Sequence, residues 1–353
     1  MAHELEVFED GTASMAYAPG VSRWHGLGQE VPEEASIEEW QKAAYMNWEI
    51  QRSAIKYEHN GLPMMYEDKH VLYRSDNGRA LGVVSPRYKI VQPKDVLEFY
   101  RDLCEHAGFK LKTAGVLFGG SRFWALADTG NSAEIAGNKK SSVGYHPDVI
   151  KNMLLLSTAC DGSMATTARD TSVCVVCNNT LSVAVRGGSS IVKVPHSREW
   201  KPQEVKEEMG LITKGWEEFM AGIDSLASKR IAPVEAQEFL VSMFDPRSPV
   251  NNEDKLVVDE WNTMTHQQRI DSLNMGVSAT CAEVWELFDG AGMGADLVSR
   301  KGTWWGMVNA ITQYEDHHGG ARTVDARMNS AWFGKGDSRK TTAFNRALEL
   351  VAA

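Results

Sequence analysis

The first half of the chain alternates short apolar runs with polar turns, a pattern typical of strands joined in hairpins. In the clearest example, apolar runs at residues 153–156 and 173–176 lie on either side of the polar segment 160–163. Both runs carry bulky or β-branched residues, which favour a buried strand. We therefore predict a buried antiparallel pair with Gly162 at its turn.

Other turns and helix starts in this half are marked by their residue types. An Asp-Asn-Gly segment at 76–78 and a Gly-Gly pair at 119–120 each separate two apolar runs. Asn and Gly tolerate the positive φ that tight hairpin turns require, so each predicts a hairpin. Two helices are also expected, one opened by a capping box at 36–39 and one over 94–106 with its apolar residues on one face.

The pattern changes after Cys177. The polar segment 178–180 is followed by apolar residues at 181, 184 and 185. Because a short polar side chain can accept hydrogen bonds from the free amides of a helix start, this segment predicts a helix. The centre of the chain is thus predicted to be a hairpin that runs into a helix.

Beyond the proline-containing segment 195–202, apolar residues repeat with alternating spacings of four and three. They are Val205, Met209, Ile212, Trp216, Phe219, Ile223 and Leu226. This heptad pattern predicts one long helix over residues 203–229. Two interpretations stay open: the helix packs within its own chain, or it forms a coiled coil between subunits. In the second case, Ile212, Trp216, Phe219 and Ile223 would line the oligomer interface.

Together these patterns predict an α+β fold, with an antiparallel sheet and helices in the N-terminal half and a mainly helical C-terminal half. We divide the chain into an acidic N-terminal arm (1–35), an α+β core domain (36–194) and a mainly helical domain (195–353). The arm is rich in Gly, Pro and acids, so we expect it to be extended rather than packed.

Composition limits the class of protein. The chain has 353 residues, of which 43% are hydrophobic and 24% charged, as in globular proteins. No apolar run approaches the roughly 20 residues that span a bilayer, and the N-terminus has acids where a signal peptide has bases. We therefore expect a cytoplasmic protein with no membrane association. Its five cysteines are too few for a disulfide framework and are expected to be reduced thiols.

The net charge of −10 is unevenly distributed. Residues 1–40 hold nine acids and one base, a charge of −8, so the other 313 residues together carry only −2. Two windows are locally basic. Residues 137–186 hold five bases and three acids, and residues 321–340 hold five bases and two acids. These windows are the candidate sites for an anionic partner.

Sequence motifs argue against several enzyme classes. The chain has no Gly-rich phosphate loop followed by lysine, no dinucleotide fingerprint and no nucleophile elbow. Cys174 and Cys177 have the spacing of half a zinc site, but no second pair follows. His317 beside Asp316 allows a metal-site interpretation and Asp161 a catalytic one, although a solvated helix end and a tight turn explain these residues equally well. We expect no cofactor, no resident metal and no catalytic residue.

Aromatic residues lie close in sequence to both basic windows, and lysine or arginine beside exposed rings is typical of single-stranded nucleic-acid binding. The candidate binding residues are Lys139, Lys140, Lys151, Arg169, Arg186, Arg322, Arg327, Lys335, Trp124 and Tyr145. If they form one groove, the two windows converge in space although they are far apart in sequence.

Several short motifs resemble one known family. They are an asparagine before an apolar strand, Asp161-Gly162-Ser163, a Val-Cys-x-Asn-Thr-Leu segment at 176–181, Trp24-His25-Gly26-Leu27-Gly28 near the start, and Ser330-Ala331-Trp332-Phe333-Gly334 near the end. In this combination the chain resembles the phage/plasmid-like protein family, a domain of unknown function. The resemblance implies a phage or plasmid origin and carries no activity with it.

From these features we expect a phage-encoded, non-enzymatic protein of DNA recombination or replication. It would bind single-stranded DNA as a homo-oligomer, in the manner of single-strand annealing proteins. Two alternatives remain open: a self-assembling structural or host-defence-interacting protein, and a metal-dependent hydrolase.

Overall fold

The computed structural model describes residues 12–21, 27–135, 148–174, 180–182, 184–185, 188–189, 191–210, 214–320 and 324–352. Within them the chain has an α+β fold, in which strands dominate the N-terminal half and helices dominate the C-terminal half. The predicted fold class is confirmed. No helix in these ranges is both long and apolar enough to cross a membrane.

The strands of the described residues are β1 (Met15–Tyr17), β2 (Gln29–Glu30), β3 (Ile50–His59), β4 (Leu62–Arg74), β5 (Ala80–Val84), β6 (Lys110–Leu117), β7 (Arg122–Glu134), β8 (Val149–Ala159), β9 (Thr166–Cys174), β10 (Thr180–Ser182), β11 (Ala184–Val185), β12 (Gly188–Ser189) and β13 (Ile191–Val194). Eight of them form the larger sheet, in the order β10-β9-β8-β7-β6-β1-β2 with β13 also paired to β9. Its pairings are antiparallel, except that β1 and β2 run parallel.

The turn residues predicted the hairpins of this sheet correctly. Strands β8 and β9 pair with Leu155 opposite Arg169, and Gly162 in their turn has a φ of 81°. Strands β6 and β7 form a second hairpin around the turn Phe118–Gly120. Leu154 and Leu156 are buried, as expected for residues of a core strand.

A smaller antiparallel sheet consists of β3, β4 and β5. Strand β5 pairs with β4 only over residues 70–73, so the outer part of the β3–β4 hairpin has two strands. Ile55 pairs with Tyr66 and Tyr57 with Met64, which places these four side chains on one face. Tyr57 is 51% exposed, and Met64 and Tyr66 are also exposed. The hairpin therefore presents an apolar face to solvent.

The helices of the described residues are α1 (Ile37–Ala43), α2 (Pro93–His106), α3 (Pro202–Gly210), α4 (Lys214–Ser228), α5 (Pro233–Phe244), α6 (Lys255–Thr263), α7 (His266–Asp271), α8 (Met275–Glu286), α9 (Trp304–Gln313), α10 (Val324–Phe333) and α11 (Lys335–Ala352). Helix α1 begins with the predicted capping box, in which Ser36 and Glu39 satisfy each other's backbone amides. Helix α2 has proline in its first turn and buries Val96, Leu97 and Tyr100 against the larger sheet.

Three apolar cores hold the fold together. One lies between the larger sheet and α1, α2 and α3, and a second joins α4, α5, α8, α9 and α11. A third and smaller core, around Trp124 and Leu155, covers the opposite face of the larger sheet and includes Met328 of α10. The two halves of the chain are therefore in contact across the sheet. A buried ion pair also joins them, since Arg300 donates to Asp148 at 2.6 Å.

The structure differs from the sequence predictions in two places, the N-terminal arm and the segment after Cys177. Strand β1 pairs with β6 and is buried, so this part of the expected N-terminal arm is packed. The predicted helix after Cys177 is wrong, because Thr180–Ser182 is a strand that pairs with β9. The predicted heptad helix is seen as α3 and α4, with residues 211–213 outside the described ranges. Val205 of α3 packs in the first core, whereas Phe219 of α4 packs in the second.

Candidate functional site

One end of the larger sheet gathers cations that form no ion pair with any described carboxylate. They are Arg52, Arg79, Arg87, Lys89 and Arg122, and we call them the basic turn surface. The first four are exposed and Arg122 is partly buried. Cations without acidic partners leave a positive potential that can attract an anion.

The loop between β5 and α2 positions three of these cations. Arg52 of β3 donates to the carbonyl of Tyr88 at 2.7 Å, so it lies beside Arg87 in the loop. The amide of Lys89 donates to the carbonyl of His196 at 2.6 Å. The rings of Tyr88 and His196 are stacked, with centroids 4.4 Å apart. Burial lowers the pKa of His196, which favours a neutral ring near pH 7.

The turn between β6 and β7 positions the other two cations. A Cβ atom on Gly119 would lie 2.1 Å from Cζ of Arg79, so the guanidinium packs directly on this turn, where the φ of 65° also favours glycine. The Arg122 guanidinium lies 5.5 Å from the centroid of the Phe118 ring, within the range of a cation–π contact. Phe118 has a φ of 54°, which is costly for a bulky residue. Strain of this kind is found where the surrounding structure fixes a functional conformation.

Tyr88, which lies between Arg87 and Lys89, and Arg122 both contact the β8–β9 hairpin near its turn. The Tyr88 hydroxyl donates to the carbonyl of Ala159 at 2.7 Å, and Arg122 donates to the Ser163 hydroxyl at 2.9 Å. Burial lowers the pKa of the Arg122 guanidinium, an effect that the charge of Asp161 opposes. The Asp161 carboxylate in this turn lies near the cations without forming an ion pair with them. It therefore reduces the local positive charge.

The basic turn surface can bind phosphate groups and aromatic bases together. Guanidinium and ammonium groups donate to phosphate oxygens, and the Phe118, Tyr88 and His196 rings offer apolar surface next to them. Such an arrangement contacts the nucleic-acid backbone and stacks on any base, so it does not require base-specific hydrogen bonds.

Of the cations in the first predicted basic window, the two that the structure describes are paired. Lys139, Lys140, Tyr145 and Arg186 lie outside the described residues. Lys151 forms an ion pair with Asp128 at 3.4 Å. The Arg169 side chain is only 8% exposed and pairs with Asp337 at 2.6 Å. It also donates to the carbonyl of Trp332, so the two predicted windows touch at Arg169.

Two cations of the second predicted window are paired with carboxylates. Arg339 donates to Glu315 at 2.5 Å, and Lys340 donates to Asp316 at 2.6 Å. Arg327 donates to the carbonyl of His317 at 2.9 Å. Lys335 is exposed, and Arg322 lies outside the described residues.

The predicted binding residue Trp124 and the described residues of the predicted oligomer interface pack against other parts of the same chain. Trp124 is completely buried and packs edge-on against Trp332, with ring centroids 5.8 Å apart. Phe219 and Ile223 are buried in the helical core, and Trp216 packs beside Phe219 with ring centroids 5.9 Å apart. These contacts favour the interpretation that the heptad seam packs within its own chain. Ile212 lies outside the described residues.

Two of the residues with an alternative metal or catalytic interpretation have structural partners. The buried Asp316 pairs with Lys340, and the Asp161 carboxylate accepts a hydrogen bond from the backbone amide of Ser163 at 2.9 Å, as in a tight turn. His318, which follows His317, hydrogen bonds to Glu283 at 2.9 Å. No group of three or more His, Cys, Asp or Glu side chains in the described ranges could hold a metal ion.

A sequence signal for the basic turn surface lies outside the two predicted basic windows. Residues 77–94 contain four bases and no acid. That short segment is locally more basic than either predicted window, although its charge is diluted when longer windows are counted. Arg52 and Arg122 lie outside it and are brought to it only by the fold.

Comparison with known proteins places the chain in a family. The family model described as a domain of unknown function, DUF932, matches residues 80–332, which is well over half of the chain. Comparisons with the curated proteins and with the solved structures gave no match. The matched region includes most of the basic turn surface, the larger sheet from β6 onward and the helical core except for α11. The chain therefore belongs to the DUF932 family, a domain of unknown function.

Proposed function

We propose that this protein is a non-enzymatic single-stranded nucleic-acid-binding protein of recombination or replication, which acts as an oligomer in the manner of single-strand annealing proteins. The observation that carries the proposal is the basic turn surface. Its five cations have no carboxylate partner in the described ranges and lie beside aromatic rings at one end of the sheet. Phosphate contacts would supply the affinity, and ring contacts would favour unpaired bases over a duplex.

The resemblance noted above supports a phage or plasmid origin for this activity, and a cytoplasmic location is part of the proposal. The likeness to single-strand annealing proteins is one of general arrangement, a sheet and helix beside a basic surface. The proposed activity requires neither a cofactor nor a metal ion.

A second copy of the chain is the proposed partner of the apolar face on the β3–β4 hairpin. An isolated two-stranded hairpin is only marginally stable in water. The outer part of this one exposes Tyr57, Met64 and Tyr66 on one face, and also Leu62, which is 65% exposed. Pairing two such faces would bury these side chains in an isologous contact.

Light scattering tests this part of the proposal. We expect the wild-type particle to be larger than one chain and the double variant Tyr57→Glu/Met64→Glu to be a folded single chain. A wild-type particle with the mass of one chain at micromolar concentration would contradict it. The same hairpin face is the specific observation that favours the alternative function, a self-assembling structural or host-defence-interacting protein.

Binding to single-stranded DNA separates these two functions. We expect fluorescence anisotropy with a labelled mixed-sequence oligonucleotide, in buffer without ATP or metal ions, to show binding that weakens strongly between 50 mM and 200 mM salt. The matched duplex should bind more weakly than the single strand. An oligomeric, folded protein that binds no single-stranded DNA at the lower salt concentration would overturn the nucleic-acid function and leave the self-assembling alternative.

A further inference from the structure

A cavity of about 390 Å³ lies between the larger sheet and helices α2, α3 and α4. This volume is within the usual range for small-molecule sites. Apolar walls are formed by Phe99, Phe109, Met209 and Trp216. The cavity is distinct from the basic turn surface, because its polar residue Asn152 lies near the other end of β8, roughly 20 Å along the strand from Ala159.

Two polar side chains from neighbouring strands reach the cavity from the sheet. Asp170 of β9 pairs with Leu154 of β8, and Ser172 pairs with Asn152, so Asp170 and Asn152 lie on the same face as diagonal neighbours. The Oδ1 atom of Asn152 is buried and has no hydrogen-bond partner in the described part of the chain. No described residue forms a hydrogen bond or ion pair with the Asp170 carboxyl. A buried polar group without a partner is rare and points to a ligand.

A β-bulge adds further polar groups to the same wall. The pairing of β7 with β8 shifts between Asp128 and Ser132, and Gly130 within the bulge has a φ of 83°. As a result Thr129 and Asn131 line the cavity beside Asn152. Bulges of this kind redirect side chains next to functional sites.

The Asp170 carboxyl is held in an unusual protonation state. Burial raises its pKa to about 7, so a large part of it is protonated near neutral pH. A protonated carboxyl has an O–H donor and a carbonyl acceptor on one side chain, and the Asn152 amide likewise has a donor and an acceptor. The charged groups that also line the cavity are Lys206 of α3 and Glu217 of α4, and the Tyr100 hydroxyl of α2 is occupied by the carbonyl of Leu154 at 2.9 Å.

We propose that this cavity binds an uncharged, planar heterocycle that presents an N–H donor next to a carbonyl acceptor, as the edge of a nucleobase does. Asp170 and Asn152 would hydrogen bond to that edge, while Phe99 and Trp216 would contact its faces. Apolar walls with a few convergent polar groups are the usual composition of such a site. The proposal does not depend on the basic turn surface and would stand if the protein bound no DNA.

Isothermal titration calorimetry with free nucleosides tests the proposal directly. The probes are uridine, thymidine, inosine and guanosine, each compared with an analogue in which the N–H beside the carbonyl is methylated. We expect at least one nucleoside to bind, its methylated analogue to bind at least tenfold more weakly, and the affinity to fall roughly tenfold between pH 6 and pH 8, because one pH unit above its pKa a carboxyl is only about one-tenth protonated.

Substitutions at Asp170 test whether its carboxyl binds the ligand. Asp170→Asn keeps a donor and an acceptor, so it should bind with an affinity that no longer changes with pH. Asp170→Leu should not bind. The control Glu218→Gln, at an exposed residue of α4 that does not line the cavity, should bind with the same pH dependence as the wild type. If single-stranded DNA displaces the bound nucleoside, the cavity also accepts a base within a strand. If it does not, the cavity binds only free nucleosides or similar small molecules. A folded wild type that binds no nucleoside at millimolar concentration, or equal binding by Asp170→Asn and Asp170→Leu, would overturn the proposal.

Discussion

The cations of the helical half and those of the basic turn surface differ in what surrounds them. Arg300, Arg339 and Lys340 each lie within 2.6 Å of a carboxylate oxygen, and all three carboxylates are buried. Arg79 and Arg87 are exposed and have no carboxylate partner among the described residues. The first group contributes to the stability of the fold, whereas the second leaves its charge available to a partner.

Local charge in the sequence therefore does not measure the charge that the fold leaves available. The window 321–340 is basic by count, yet two of its five bases neutralise acids that lie 24 residues earlier in the chain. A surface ion pair is worth little, but a buried one costs several kcal/mol when it is broken. Substitutions in the two groups should therefore have opposite effects on stability and on binding.

The largest effect on stability is expected at Asp148. Its side chain is completely buried and accepts hydrogen bonds from Arg300 and from the Ser299 hydroxyl at 2.8 Å. Asp148→Asn would leave Arg300 buried without an opposite charge, and we expect the free energy of unfolding to fall by about 3–5 kcal/mol. Urea denaturation measures this, with the exposed Asp289→Asn as control. A loss equal to that of the control would contradict the structural role of the pair.

A somewhat smaller loss is expected at Lys340. Its side chain is 1% exposed and neutralises Asp316. Lys340→Met should lower the free energy of unfolding by about 3 kcal/mol, the lower end of the range for an unpaired buried charge. The double variant Lys340→Met/Asp316→Leu should recover part of the loss, because no charge is then buried. If the double variant loses more free energy of unfolding than the two single variants together, the ion pair is not the source of the effect.

Acid should destabilise the protein through the paired group. Burial by itself raises the pKa of Asp148, but the hydrogen bonds and charge of Arg300 outweigh it and hold the pKa below its ordinary value. A carboxyl with a lowered pKa stabilises the folded state above its unfolded pKa of about 4, and this contribution is lost as the pH falls further. The midpoint temperature of thermal unfolding should therefore fall less steeply between pH 5 and pH 2 for Asp148→Asn than for the wild type. Parallel curves for the two proteins would exclude this origin of the acid sensitivity.

The smallest effect on stability is expected on the basic turn surface. Replacing Arg79, Arg87 and Lys89 together by Gln should change the free energy of unfolding by about 0.5 kcal/mol or less for each residue, because exposed side chains without ion pairs contribute little. Urea denaturation of the triple variant checks this. A loss of several kcal/mol would mean that these cations are structural and would remove the contrast between the two groups.

The fold could be predicted from local signals wherever the turn or cap has its own chemistry. The Asp-Asn-Gly turn at 76–78, the Gly-Gly pair at 119–120 and the capping box of α1 each specify a backbone conformation by residue type alone. The segment after Cys177 could not be predicted in this way. Its polar residues fit a helix cap, but the open edge of β9 gives Thr180–Ser182 strand hydrogen bonds that no local pattern indicates.

The candidate site was less predictable than the fold, because it depends on which charges meet. The heptad seam indicated helices correctly, and only the structure shows that Val205 and Phe219 pack in different cores of the same chain. Trp124 was a reasonable stacking residue by composition, but it is completely buried. Arg52 and Arg122 join the basic turn surface through contacts between residues that are far apart in sequence.

The salt dependence of single-stranded DNA binding tests whether the basic turn surface binds phosphate groups. Each phosphate contact contributes roughly 0.7 to the slope of log affinity against log salt concentration for a single strand. We compare the wild type with the variant Arg79→Gln/Arg87→Gln/Lys89→Gln and with Lys229→Gln/Lys255→Gln/Lys301→Gln, which removes three exposed lysines of the helical half. We expect the first variant to lower the magnitude of the slope by about 2 for all sequences tested, and the second to leave it near the wild-type value. Equal slopes for the wild type and the first variant, with a reduced slope for the second, would contradict phosphate binding by the basic turn surface.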